Sequence, residues 1–297
     1  LGGYLDRDDA NLAGPPIPFD HDVFARWTAV AALTPFMQLH GRANLTPWTV
    51  PERVDETVTL YRYWAKLHSA LVPFFYSLAE EAYASSRTML HPQGAEVAWP
   101  GDYRFLVGEA FLVAPILAAG GERTVELPAG ARWFDWWAPS GAALAGGTTI
   151  NAALPDRAQI PLFVREGAII PMHVVDAVNG LGTTASSGAL TVLAWPGATA
   201  TSFRLHEEDG VVTTLEAHRD QDGAVLLLSR TTRTVLAHIR VESTPTSVTL
   251  DGAAVVERAT RAALDAAADG YVVEGGNLVW IKVPQSATGG ARIHIRP

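Results

Sequence analysis

FDHDVFARWTAVAALTPFMQLHGRANLTPW, residues 19–48, decides how the first part of the chain folds. Val23, Trp27 and Val30 recur at spacings of four and three, which gives one apolar helical stripe. Asp20 or Asp22 can cap the start, and Thr34-Pro35 ends the helix, because proline pushes its predecessor out of helical geometry. PFMQL then reads as a short apolar strand that runs into a polar loop at His40 and Gly41-Arg42-Ala43-Asn44. A second helix is expected after Pro51, with Thr49 and Glu52 at capping-box spacing. Along it Leu60, Trp64, Leu67, Leu71, Phe74 and Leu78 form a wide apolar stripe, and Pro73 should bend it or open one backbone bond. Helix, strand, loop, helix is the rhythm of an α/β barrel, a fold that needs about 250 residues to close. Residues 1–86 are therefore expected to be the terminal part of a (β/α)8 barrel that begins before Leu1. Its helical stripe would then await absent barrel strands, leaving the first 80 or so residues the part most open to protease.

Beyond residue 86 the texture changes. LVGEAFLVAPIL (106–117), RTVELPAG (123–130), ARWFDWWAPSG (131–141) and IPLFVREGAIIPM (160–172) are short apolar or alternating runs broken by Gly and Pro. That is the pattern of an antiparallel sandwich, expected over 87–177. A second antiparallel sandwich is expected over 178–297, after the Gly/Ser/Thr-rich NGLGTTASSG (179–188). There Val235, Ala237, Ile239 and Val241 alternate with polar or exposed neighbours, and Gly275-Gly276-Asn277 joins two strands as a hairpin. The fold class is thus α/β plus all-β, in three zones. A formal charge of −9 without a Lys/Arg cluster argues against a nucleic-acid partner. No apolar run reaches the roughly 18 residues of a membrane span, and no signal peptide is legible, which leans toward the cytoplasm. The chain has no cysteine, so disulfides, thiol catalysis and Cys-built metal sites are excluded.

Few residues carry chemistry. His40 closes the apolar strand and opens a loop, the position at which barrel enzymes place binding and catalytic groups; a loop histidine without ligand is the equal alternative. Trp48 can stack on a sugar face or simply cap the following helix. Trp133, Trp136 and Trp137 fit core packing better than a sugar platform. Glu207-Glu208-Asp209-Gly210 has the composition of a calcium loop but reads first as an ordinary turn. The histidines show no zinc spacing, no cofactor motif is present, and neither metal nor cofactor is expected. Acidic pairs such as Asp8-Asp9 and Glu80-Glu81 lack the strand-end context of catalytic carboxylates.

At this point several motifs together resemble glycoside hydrolase family 31, the α-glucosidase and α-xylosidase family. They are LGGY (1–4), Arg26-Trp27 with PFMQLHG and TPW, the LVPFFYSLAEEA helix, and FLVGEAFLVAPIL through IPLFVREGAIIP. FRLHEEDG (203–210) is similar to a turn of the family's distal sandwich. The resemblance implies a retaining α-glycosidase whose two catalytic aspartates lie upstream of the GGY turn, with none in this chain. It implies that His40 binds the sugar and that the partner is an α-linked oligosaccharide or glycoside. Gln38 and His68 stand where the family often has arginines, departures that bear on substrate subtype. The competing class is a non-catalytic carbohydrate-binding β-sandwich protein, which would have no reason to carry the helical first zone. Oligomeric state is not legible.

The chain alone is expected to show no turnover of aryl α-glucoside, α-xyloside or α-galactoside substrates, since a retaining mechanism needs both carboxylates. Turnover abolished by one Asp or Glu substitution within residues 1–297 would refute this.

Overall fold

The structure, a computed structural model, describes residues 19–40, 46–93, 99–286 and 289–297. The LGGY turn, Asp8-Asp9 and the Gly41-Arg42-Ala43-Asn44 loop lie outside the described residues. What is described is mostly β sheet with few helices. α1 (His21–Ala32), α2 (Val54–Ala70) and α3 (Val72–Ser85) come first. Asp20 caps α1, its Oδ1 accepting from the backbone N–H groups of Asp22 (2.8 Å) and Val23 (3.0 Å). The expected helix after Pro51 is two, broken at Leu71, because Pro73 has no N–H to continue the ladder and sits in the first turn of α3. The Thr49–Glu52 capping box does not form. Thr49 closes its own turn, its Oγ1 accepting from the Thr46 N–H at 2.8 Å, and Arg53 enters α2 from left-handed geometry at φ 53° without a side-chain cap. PFMQL is extended chain, not a strand: among the described residues it has no ladder partner, and Phe36 is 73% exposed.

Four sheets follow among the described residues. β1 (Leu90–Pro92), the short α4 (Trp99–Asp102), β2 (Phe105–Val107), β3 (Phe111–Val113), β4 (Glu122–Glu126), β5 (Arg132–Asp135), β6 (Leu144–Ala145), β7 (Thr149–Ala153), β8 (Leu162–Arg165) and β9 (Ile169–Met172) fill the middle of the chain. Six of these strands form an antiparallel sheet in the order β1-β2-β3-β8-β5-β6, and β4 and β7 pair as a ribbon over its outer face. Leu112, Val125, Leu127, Trp133 and Phe163 share the core between sheet and ribbon. β10 (Leu190–Ala194), β11 (Thr201–His206), β12 (Val212–Asp220), β13 (Gly223–Leu228), β14 (Val235–Arg240), β15 (Ser247–Leu250), β16 (Ala253–Ala254), the short α5 (Arg261–Ala266), β17 (Gly270–Glu274), β18 (Leu278–Val283) and β19 (Ala291–Arg296) complete it. They form two sheets, β17-β18-β14-β10-β9 and β11-β12-β13-β19-β15-β16, that share one apolar core.

Three expectations are corrected here. The C-terminal pair of sheets is not wholly antiparallel: β10 and β14 run parallel, because β11, β12 and β13 cross to the opposite sheet before the chain returns beside β10. β9, expected on the first side of a boundary at residues 177/178, hydrogen-bonds to β10 instead, Met172 opposite Thr191. β14 does alternate Val235, Ala237 and Ile239 with neighbours that include the polar His238 and Arg240, but none of those neighbours is exposed. Val235, Ala237 and Ile239 point into the core between the sheets, while Leu236 faces the helices, so both faces are covered. The Gly275-Gly276-Asn277 hairpin does join β17 to β18, both glycines at positive φ.

The helical stripe is not waiting for absent strands. Trp64, Leu67, Leu71 and Phe74 are at most 1% exposed. They lie in one cluster with Phe105, Phe111, Trp136 and Leu162 of the six-stranded sheet and with Ile170, Met172, Leu236 and Trp280 of the five-stranded one. α2–α3 is therefore a wedge between two sheets. α1 packs on α2 through Phe24, Ala25, Thr28, Ala29 and Ala32, one position round from the expected stripe. Small side chains let the two helices approach closely, and Val23 and Trp27 turn outward, 48% and 47% exposed.

An ionic cluster ties the same layers together. Glu166, in the turn after β8, accepts from Arg132 of β5 and Arg219 of β12, both at 2.7 Å. Glu242, just past β14, accepts from the same two guanidiniums at 2.6 and 2.8 Å. The hydrogen bonds from Arg132, with the positive field of Arg219, hold both carboxyls below the usual carboxylate range against the opposing effect of burial.

Phe74→Ala should cost about 3–5 kcal/mol in chemical denaturation, because the wedge cannot collapse around the void. Under limited proteolysis α2–α3 should resist as well as the sheets, and the Phe74→Ala chain should be cut there first. Acidification supplies a second check. With folded pKa values depressed, the cluster stabilises the chain above the unfolded glutamate value of about 4.3 and loses that contribution as pH falls through the folded values. The melting temperature should fall more steeply below about pH 4 in the parent than in Glu166→Gln. Equal slopes would mean that the cluster contributes nothing.

Candidate functional site

His40 lies at the end of the extended segment that follows α1. The turn at Leu33 and Pro35 sends that segment back past the outward face of the helix. The result is an open cavity of about 380 Å³ lined by Trp27, Ala31, Phe36, Gln38 and His40. Two aromatic rings thus stand beside two side chains that can each donate and accept hydrogen bonds. That combination suits a hydroxyl-rich ligand with apolar C–H faces, such as a sugar. Among the described residues no carboxylate lines the cavity, and His40 is its one titratable side chain. Trp48 is 62% exposed in the turn before α2 and does not line the cavity. The structure therefore does not bring Trp48 and His40 together there. Trp27 and Phe36 were not expected as cavity walls. The signal for Trp27 is the alanine-rich opposite face, which is the better surface for close helix packing and frees Trp27 to turn outward.

The other candidates are structural. Trp133, Trp136 and Trp137 belong to the core. The Trp136 Nε1–H donates to Tyr63 Oη at 3.1 Å, and the Trp137 Nε1–H to the Ile160 carbonyl at 2.8 Å. Between them Asp135 is half-buried, and burial raises its pKa while its Oδ1 accepts from the Trp137 N–H at 2.9 Å. His68 ties α2 to α1, its Nδ1 lying 3.1 Å from the Ala32 carbonyl. His173 is exposed and contributes only a backbone bond, N–H to the Ala70 carbonyl at 2.7 Å. His238 stacks on Trp280 with centroids 4.0 Å apart, and burial, with Arg261 nearby, lowers its pKa to about 3. The Glu207-Glu208-Asp209-Gly210 sequence is a tight turn between β11 and β12, with Glu207 paired to Arg233 at 3.0 Å. Among the described residues no group of three or more His, Asp or Glu side chains is placed to hold a metal ion. No described helix is long and apolar enough to cross a membrane.

Comparison with known proteins agrees with this layout. Residues 1–78 match the glycosyl hydrolases family 31 TIM-barrel domain, and residues 82–170 the family 31 C-terminal domain. The chain is 30% identical over 225 residues to a 1,6-alpha-glucosyltransferase of Sporosarcina globispora, which covers 70% of this chain and 16% of that protein. It is 27% identical over 202 residues to an alpha-xylosidase of Saccharolobus solfataricus, covering 64% of this chain and 26% of the relative. The chain thus spans about a quarter or less of the length of these relatives. Among solved structures, the cycloalternan-forming enzyme from Listeria monocytogenes superposes with a TM-score of 0.79 at 24% identity, over 92% of this chain and 28% of that one. The alpha-xylosidase of Xanthomonas citri superposes with a TM-score of 0.57 at 27% identity, over 73% of this chain and 26% of that one. Two domain models of one family meet in the chain between residues 78 and 82, inside the very helix that here wedges between the sheets. This chain belongs to glycosyl hydrolase family 31.

Proposed function

We propose that the chain serves hydrolysis of O-glycosidic bonds of α-linked sugars, as the C-terminal part of a retaining α-glycosidase. In this reading residues 1–86 end the catalytic barrel, and 87–177 and 178–297 form the two sandwich units that brace it, β9 being shared with the second. The observation that carries the reading is the position of the barrel-domain match ahead of the C-terminal-domain match, with His40 in a cavity walled by Trp27 and Phe36. Relatives named alpha-xylosidase and alpha-glucosidase agree with an α-linked glycoside as substrate. Retaining hydrolysis calls for two carboxyl groups about 5–5.5 Å apart, one attacking the anomeric carbon and the other protonating the leaving oxygen. Both are assigned to residues preceding this chain.

In that scheme His40 holds a hydroxyl of the sugar beside the bond to be cleaved, the role of each ring nitrogen being set by the partner that takes the other. Trp48 stacks on a more distant sugar unit, outside the His40 cavity.

In the parent enzyme His40→Ala should lower kcat/KM by about three- to tenfold without changing the melting temperature, the loss of one hydrogen bond to a bound hydroxyl. His173→Ala is the control. Its side chain is exposed, so stability should stay within about 0.5 kcal/mol and kcat/KM should be unchanged. A His40→Ala enzyme with wild-type kcat/KM would remove the substrate-binding assignment.

A further inference from the structure

A second, larger groove lies away from the His40 cavity and shares no residue with it. It is bounded by α3, the turn at Gly108–Ala110, the crossover from β8 to β9 and the start of β11, and encloses about 850 Å³. That is within the roughly 300–1,000 Å³ typical of small-molecule sites. Its floor is apolar. The half-buried ring of Phe203 is backed by Phe74, stacked at 5.5 Å with 19° between planes. The walls are held by backbone contacts that leave no slack. Gly108, at φ 52°, lies so close to α3 that an added Cβ would sit 3.0 Å from a Leu78 methyl. Thr201 Oγ1 donates to the Gly167 carbonyl at 2.7 Å.

The rim carries three guanidiniums, Arg87, Arg165 and Arg204, and three carboxylates, Glu81, Glu109 and Glu166. Most are already matched. Arg204 bonds Glu81 at 2.8 Å, Arg165 bonds Glu109, and Glu166 is committed to Arg132 and Arg219. Arg87 is exposed and makes no ion pair among the described residues. An anionic ligand would meet three carboxylates on this rim, and a cationic one three guanidiniums. A neutral polyol can use both the donors and the acceptors of the rim and lay its C–H face on Phe203.

We propose that this groove is an accessory saccharide-binding site, taking a short neutral oligosaccharide on the face of Phe203, with Arg87 and the exposed Glu109 as its hydroxyl partners. Such a site would hold substrate chains near the enzyme without touching the bond that is cleaved. Binding by the chain itself tests it, so the result stands apart from the activity proposed above.

The test is titration with isomaltotriose, followed by calorimetry and by backbone amide shifts. Shifts should centre on Gly108, Gly167 and Ser202. Arg87→Ala, and Ser202→Trp at an exposed position that fills the groove, should each weaken binding about tenfold with unchanged melting temperature. His40→Ala should leave these shifts intact. Absence of binding at millimolar trisaccharide overturns the proposal. So does binding that maps to Phe36 and His40 and is lost in His40→Ala. Inorganic phosphate shifting the same amides where the trisaccharide does not would also overturn it, by assigning the groove to an anion.

Discussion

Everything in this chain hangs on the burial of one helical stripe. Trp64, Leu67, Leu71 and Phe74 face two sheets at once, and the cluster they join runs from Phe105 and Phe111 on one side to Met172 and Trp280 on the other. Burying side chains of this size contributes about 1.5–3 kcal/mol each, more than any surface ion pair in the molecule can supply. The stripe also explains why β14 is covered on both faces: the helices pack on one side of the five-stranded sheet and its partner sheet on the other. The break at Leu71 lets two straight helical segments follow a surface that a single helix would have missed.

The second constraint is the change of sheets at Glu166-Gly167. β8 belongs to the six-stranded sheet and β9 to the five-stranded one, and only a few residues separate them. Gly167 adopts φ 90° there, and an added Cβ would lie 2.8 Å from the Thr201 methyl, so glycine is required both by conformation and by space. The Gly167 N–H donates to the Trp195 carbonyl at 2.7 Å, and the neighbouring Glu166 joins Arg132 and Arg219 across the junction. A carboxylate shared by two guanidiniums from different sheets fixes their relative position in a way that apolar contact, which has no direction, does not. The large groove opens beside this junction, and its walls are rigid for the same reason.

The two cavities divide the molecule's chemistry. Around His40 two walls are aromatic and no described carboxylate is at hand; around Phe203 the floor is aromatic and the rim carries guanidiniums and carboxylates in equal number. Neither holds the paired carboxyls of a glycosidase. Both have the mixture of flat apolar surface and hydrogen-bonding groups that sugars require.

Much was legible in the residues alone. The apolar spacing from Leu60 to Phe74, an aspartate cap at Asp20 or Asp22, the hairpin at Gly275-Gly276 and the core role of the tryptophans around Asp135 all rest on local periodicity or local backbone preference, and these survive in any tertiary setting. The family motifs were legible too, because they preserve residue identity over long runs. Five features were decided only by the tertiary structure. The partner of the helical stripe could not be read, since a stripe records that a face is buried but not against what. The buried face of α1 was misread because alanine contributes little to an apolar pattern yet permits the closest helix packing. The PFMQL segment has strand composition but no described neighbour to bond with, and a strand exists only as a pair. The parallel pairing of β10 and β14 depends on three intervening strands crossing to another sheet, and the cavities arise where segments distant in the chain converge. Sequence determines local conformation and which faces avoid water; which surfaces meet is settled by shape and hydrogen-bond partners that only the folded chain brings together.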